Sequence, residues 1–281
     1  MHLPSTSDLL LTAIRAAYNA GKAILEIYGT SWETSLKTDQ SPLTTADLRS
    51  HEVITAGLHP TGIPVLSEEG AEVTSGTRMN WKQYWLVDPL DGTKEFINRN
   101  GEFTVNIALM IGNQPAAGVI YLPVAGSLYF GSKNLGSFRI EQPLTDEDML
   151  EDTFSDLLQK SIKLPAIINS GPLIVLASRS HLSFETAGII QRIEQRNKDC
   201  RMVSVGSSLK FCRLAEGSAD FYPRFGPTME WDTAAGQAIA ENAGIKVLTW
   251  PERQVVKYNK SSLLNPWFIA YNPERIDPSD L

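Results

Sequence analysis

Cysteine is scarce in this 281-residue chain: Cys200 and Cys212 offer neither a disulfide framework nor a zinc quartet. Both fall in apolar stretches, where buried, reduced thiols of a cytoplasmic protein are expected. Long hydrophobic runs are missing too; nothing approaches the roughly 18 consecutive apolar residues of a membrane span. The amino terminus, MHLPSTSDLLLTAIRAAYNAGK, lacks a basic segment before an apolar core and a small-residue cleavage pattern, so no signal peptide is expected. Peripheral attachment to the cytoplasmic face of the inner membrane would leave no necessary mark. Basic charge is in deficit, with 25 Lys and Arg against 32 Asp and Glu and a net charge of -7. That balance argues against a nucleic-acid polymer as partner, yet leaves room for a small phosphorylated substrate held through a metal. Several chemical signatures are absent: no GxxxxGK[ST] loop, no GxSxG elbow, and no HExxH pair, since His51-Glu52 continues as Val-Ile-Thr.

What is present is an ordinary globular composition, 42% hydrophobic and 20% charged. Ser7-Asp8 offers an N-cap to a first helix with Leu9, Leu10, Ala13, Ile14, Ala17, Gly21, Ile24, Leu25 and Tyr28 at helical spacing. A second helix is predicted from about Thr44 to Leu58, and short apolar runs follow at 63–66 and 84–87. Phe103, Val105, Ile107 and Leu109 alternate as a half-buried strand, and a GNQP turn leads to more strands through about Ile140. This order predicts a helix layer on a largely antiparallel sheet. Residues 141–170 are acidic and weakly periodic and read as a surface excursion. Beyond them strands at 173–177, 201–205, 220–223, 245–250 and 267–271 mix with helices at 183–196, 207–216 and 233–243, an α/β unit with a mixed sheet. Two halves are expected: 1–140 with most of the acidic motif residues, and 141–281.

Three acidic clusters stand at the ends of apolar runs or the starts of helices: Ser67-Glu68-Glu69-Gly70, Asp88-Pro89-Leu90-Asp91-Gly92-Thr93 and Trp231-Asp232-Thr233. Singly each has an ordinary reading. Asp-Pro and Asp-Gly are turn chemistry, Glu68 and Glu69 a solvated loop, Asp232 an N-cap, and Asp47 a charge favoured in a helix's first turn. Together they offer hard oxygens from separated segments, as Mg²⁺ requires. Asp88 and Asp91 can reach neighbouring metals, and the Leu90 carbonyl adds another oxygen. Pro89 stiffens the turn, and Gly92 lets a phosphate approach the backbone where Thr93 opens a helix. Aspartyl-phosphate phosphatases share LDGT, but their nucleophile falls two residues before that Asp, where this chain has Pro89.

The stretch WLVDPLDGTKEF, the later WDTAAGQAIAENAG, the earlier SEEG and the Thr-Ala-Asp at 45–47 resemble, in that order, the signatures of the inositol monophosphatase superfamily of Mg²⁺-dependent, lithium-sensitive phosphatases. DGTKEF, SRSH at 178–181 and GSSLKFCRLAEGSADFYPRFGPTMEWDTAAG resemble its 3'(2'),5'-bisphosphate nucleotidase branch, the CysQ branch. The resemblance implies a layered α-β-α-β-α fold. It also implies two or three Mg²⁺ ions: one on Glu68, Asp88 and the Leu90 carbonyl, another on Asp88, Asp91 and Asp232, with Glu69 placing a third ion or the attacking water. Asp47 with Thr93 would deprotonate that water, and the Gly92 and Thr93 N–H groups would hold the phosphate to be cut, bordered by Glu68, Leu90, Asp91 and Asp232.

The implied reaction turns 3'-phosphoadenosine 5'-phosphate, a by-product of sulfate activation and sulfotransfer, into AMP and phosphate. Ser207, Lys210 and Arg224 would meet the 5'-phosphate, and His181 the ribose or base. The ordinary readings are a solvated helix lysine, a loop charge beside Pro223 and a local cap at His181. An inositol or sugar phosphatase with another pocket is the alternative. A non-catalytic nucleotide-binding protein is a third reading, against which stands the presence of all four of Glu68, Asp88, Asp91 and Asp232.

Overall fold

The computed structural model describes residues 5–30, 34–36, 42–141, 144–178, 184–196 and 199–277. Helix α1 (Thr6–Tyr28) is followed by the short strands β1 (Thr34–Leu36) and β2 (Pro42–Thr44) and by α2 (Thr45–Leu58). Then come β3 (Val65–Ser67), α3 (Ser75–Arg78), β4 (Gln83–Asp91), α4 (Thr93–Ile97), β5 (Thr104–Ile111), β6 (Gln114–Leu122), β7 (Ser127–Ser132) and β8 (Gly136–Ile140). Next are α5 (Asp146–Glu151), α6 (Phe154–Gln159), β9 (Ile162–Leu164), β10 (Leu173–Ser178), α7 (Phe184–Arg196) and β11 (Cys200–Val205). The chain closes with α8 (Leu209–Glu216), β12 (Phe221–Arg224), α9 (Glu230–Asn242), β13 (Lys246–Thr249) and β14 (Phe268–Tyr271).

Strand periodicity dictates the layering. Along β4, β5 and β6, Trp85, Val87, Val105, Ile107, Leu109, Val119 and Tyr121 face one core with α1 and α2. The alternate residues Tyr84, Leu86, Ala108, Met110, Ile120 and Leu122 face a second core with α8 and α9. A sheet buried on both faces needs apolar residues at nearly every position, and β5, expected to be half-buried, is buried on both faces from Thr104 to Met110. The sheet order is β3-β4-β5-β6-β7-β8-β9, antiparallel apart from the parallel β3–β4 pair. The second sheet, β11-β10-β12-β14-β13, is mixed. Its far face packs against α7 through Ile189, Ile190 and Ile193. The result is the α-β-α-β-α sandwich expected. No helix among the described residues is long and apolar enough to cross a membrane.

Several boundaries differ from the sequence reading. Ser5, not Ser7 or Asp8, caps α1, because Asp8 three residues into the helix completes a reciprocal capping box with it. Residues 144–164 are no surface excursion: Leu144, Met149 and Leu157 are buried in the first core and β9 extends the first sheet to Leu164. Helix α9 begins at Glu230, three residues before Thr233, so Asp232 lies inside the first turn rather than at the cap. Cys212 is buried, whereas Cys200, on an edge strand, is half-buried.

Candidate active site

Strand β4 does not stop before Asp-Pro-Leu-Asp; it runs through it. In a regular strand, residues three apart point to opposite faces. Here Asp88 pairs with Asn106 and Asp91 with Thr104, so three steps on β4 match two on β5. The one extra residue is a β-bulge, and it returns Asp91 to the face that Asp88 occupies. Both carboxylates thus look toward the C-terminal half, so one strand contributes two of them to the same side.

The side chains of Glu68, Asp88 and Asp232 converge, with carboxylate oxygens all within 4.8 Å of one another. Glu68 follows the end of β3, Asp88 lies on β4 and Asp232 in the first turn of α9, where its Oδ2 accepts the Met229 N–H at 2.9 Å. Glu69 is half-buried beside Glu68 in the same turn. Asp88 Oδ1 accepts the Leu90 N–H at 3.1 Å. Asp91 borders the same cleft, but its Oδ2 turns to the Ser208 N–H at 2.5 Å and to Asn106 Nδ2 at 3.4 Å.

Charge sets the character of this cluster. Burial, then the neighbouring Glu68, Asp91 and Asp232, push the Asp88 carboxyl well above its ordinary range. Burial, then Asp91 and Glu68, do the same to Asp232. Burial raises Asp91 to about 6, against the opposing pull of Lys210, the Ser208 N–H and Asn106. Several anions this close and this dry are stable only protonated or beside a cation. The donor set is all oxygen, the choice of a hard divalent ion, so the residues fit the metal that the sequence suggests.

Around the cluster, Asp47 is 2% exposed at the start of α2. Its Oδ2 accepts the Thr44 N–H at 2.8 Å and its Oδ1 the Thr93 hydroxyl at 3.2 Å. Thr93 Oγ1 also lies 3.5 Å from the Leu90 carbonyl. Gly92 adopts φ +95°, a conformation open to glycine, and hands the chain from β4 into α4. Ser50 Oγ donates to the Pro89 carbonyl at 2.7 Å, tying α2 to the bulge.

The cleft, of about 300 Å³, is lined by Glu68, Asp88, Leu90, Asp91, Gly92, Thr93 and Asp232 together with Ser207, Lys210 and Arg224. Ser207 takes φ +43°, at the bend leading into α8. Lys210 is 5% exposed, and two of its three N–H donors are spent on the Val205 and Ser207 carbonyls at 3.0 and 2.7 Å. Burial lowers its ammonium to about 8. Arg224 donates to the Pro227 carbonyl at 2.8 Å, while its buried Nε has no partner among the described residues. His181 lies outside the described residues, so its expected place near the ribose or base has no structural counterpart here.

Sequence reasoning passed over Thr104, Asn106, Ser208 and Ser50. The signal was there for Asn106: one amide in Val105-Asn106-Ile107-Ala108-Leu109, a run otherwise apolar on both faces.

Known proteins resemble this chain in sequence and in fold. Residues 5–276 match the model of the inositol monophosphatase family. The chain is 41% identical over 264 residues to the 3'(2'),5'-bisphosphate nucleotidase CysQ of Salmonella typhimurium, covering 92% of this chain and 98% of that protein. It is 42% identical over 259 residues to the protein of the same name from Escherichia coli K12, covering 90% and 95%. The crystal structure of CysQ from Bacteroides thetaiotaomicron superposes with a TM-score of 0.87 at 46% identity, over 95% of this chain and 98% of that one. At 22% identity, the extragenic suppressor protein suhB of Bartonella henselae shares the fold with a TM-score of 0.70, over 94% and 93% of the two chains. With that fold, that carboxylate cluster and relatives of such coverage, this chain belongs to the inositol monophosphatase family.

Proposed function

We propose that the chain is a Mg²⁺-dependent 3'(2'),5'-bisphosphate nucleotidase that hydrolyses 3'-phosphoadenosine 5'-phosphate to AMP and phosphate. The observation that carries this reading is one cleft lined both by the carboxylate cluster and by the basic side chains Lys210 and Arg224. A substrate with two phosphates suits a cleft that offers both a metal-holding cluster and basic side chains; the likeness to the CysQ proteins over nine-tenths of the chain supports the same substrate.

Glu68, Asp88, Asp91, Asp232 and the Leu90 carbonyl are the residues that would hold two Mg²⁺ ions, with Glu69 nearest to any third. A divalent ion there neutralises phosphoryl charge and lowers the pKa of water from ~16 toward neutrality. Asp47 accepts the proton of the attacking water through Thr93, and its anchorage by Thr44 keeps the acceptor aimed. The Gly92 and Thr93 N–H groups orient the 3'-phosphate. The water oxygen bonds to phosphorus as the P–O3' bond breaks, and O3' takes up a proton from solvent water as it leaves. No covalent phospho-enzyme is required. Arg224 supplies a fork of donors to the 5'-phosphate, and Lys210 and Ser207 one donor each. A substrate that arises in sulfate activation supports a cytoplasmic location for the enzyme.

Product analysis tests this. Incubation of 3'-phosphoadenosine 5'-phosphate with enzyme and Mg²⁺ should yield AMP and inorganic phosphate by ³¹P NMR. Adenosine 3'-phosphate as product, or no phosphate release, would contradict the assignment.

A further inference from the structure

Asp91 is held differently from its fellow carboxylates. Its Oδ2 accepts two donors from opposite halves of the molecule, the Ser208 N–H entering α8 and Asn106 Nδ2 on β5. Asn106 is 1% exposed, and a buried amide must have its orientation settled by its partners. A chain of hydroxyls does so. Ser208 Oγ donates to Asn106 Oδ1 at 2.7 Å, and Thr104 Oγ1 lies 2.8 Å from Ser208 Oγ. With the Ser208 proton given to Asn106, the Thr104 hydroxyl must be the donor in the second contact. Asn106 Oδ1 is therefore occupied, and its Nδ2 is left to face Asp91.

Thr104, Asn106 and Ser208 are each at most 3% exposed, so no water competes for these bonds. Thr104 and Asn106 share one face of β5 because they are two residues apart, and the bulge in β4 brings Asp91 opposite that face. Ser207, at φ +43°, bends the backbone so that the next N–H points at the carboxylate.

We propose that Asn106 is a positioning residue for the divalent cation: with Ser208 it ties down Asp91 Oδ2, leaving Oδ1 aimed into the cleft as a ligand. Thr104 and the Ser208 hydroxyl fix the amide that does this. The arrangement also joins the metal side of the cleft to the loop at 206–208 on its nucleotide side. Partners that orient a ligand are commonly worth a tenfold to hundredfold factor in metal affinity. This rests on Asp91 being a metal ligand, as read above.

The test is direct Mn²⁺ binding, by calorimetry or by the EPR signal of the free ion, on the nucleotide-free protein. Asn106→Leu keeps the volume and removes the amide; Asn106→Ser is shorter, stays polar and cannot reach both partners. Thermal melts accompany each variant, and affinity is compared well below melting. Both variants should weaken Mn²⁺ by about tenfold or more. Thr104→Val, which leaves the Ser208–Asn106 bond in place, should weaken it less. A purely structural Asn106 would lower the melting temperature and leave the Mn²⁺ affinity alone, and that result overturns the proposal. Wild-type protein that takes up no Mn²⁺ refutes instead the metal reading beneath it.

Discussion

Asp88 is crowded by like charge. It is 2% exposed, faces three other carboxylates and ionises only at a cost that a cation offsets. Asp88→Asn should therefore lower kcat by about a thousandfold or more, the loss of several kcal/mol of transition-state charge stabilisation. It should also leave the metal-free protein at least as stable as the wild type, since it removes repulsion; urea titration in chelator checks this. Lys210 gives the pH dependence. Its ammonium lies at about 8 in the fold against the usual 10.5, so between those values the folded protein has shed a proton that the unfolded chain keeps. Burial of the charged form is fully costly below about 8, and that cost fades as pH rises. Binding runs the other way, because the uncharged amine attracts a phosphate less. The kcat/KM for the bisphosphate should fall above about pH 8, and Lys210→Met should lower the plateau and flatten that limb.

Elements place these residues, and backbone proximity matters as much as side chains. Strand β6 and helix α9 touch at Gly118, where a Cβ would sit 2.3 Å from the Ala235 carbonyl oxygen. Gly118→Ala should cost about 1–3 kcal/mol, read from the urea midpoint, and reduce activity by shifting the helix that bears Asp232. The N-terminus of α9 is otherwise well held. Glu230, fully buried, accepts the Asn259 N–H at 2.6 Å and pairs with Lys260. Elements with a clear local signal were legible in the sequence: α1 from helical spacing, β4 from its apolar run, β5 from alternation and β6 from the turn before it. The start of α9 was not, because Glu230 looks like a loop residue until the Leu263 carbonyl and the Asn259 N–H are known to bond to it. The short α5 and α6 were hidden by acidic surfaces around a few buried side chains. In the site, the carboxylates showed as motifs, whereas the bulge between Asp88 and Asp91 is a matter of pairing with β5. No local pattern reveals an extra residue whose effect exists only across two strands.

At the scale of the whole molecule, the site is where layers meet. Strands β3 and β4 supply Glu68, Asp88 and Asp91, and the helical layer behind them supplies Asp232. Folding thus drives like charges together and a divalent ion should offset this. Mg²⁺ at about a hundred times its Kd adds about 2.7 kcal/mol of stability, so the melting temperature should rise by roughly 5 °C or more and fall back with chelator. Absence of any shift would contradict a site formed by folding. The second sheet contributes to the cleft through Arg224, which on the proposed function would discriminate between substrates. Two charge-assisted contacts at about 1.5–3 kcal/mol each amount to a factor of a hundred or more. The most direct measurement is kcat/KM for 3'-phosphoadenosine 5'-phosphate and for inositol 1-phosphate, side by side in Mg²⁺. The account expects the bisphosphate to be preferred at least about a hundredfold; equal or better turnover of inositol 1-phosphate would contradict it.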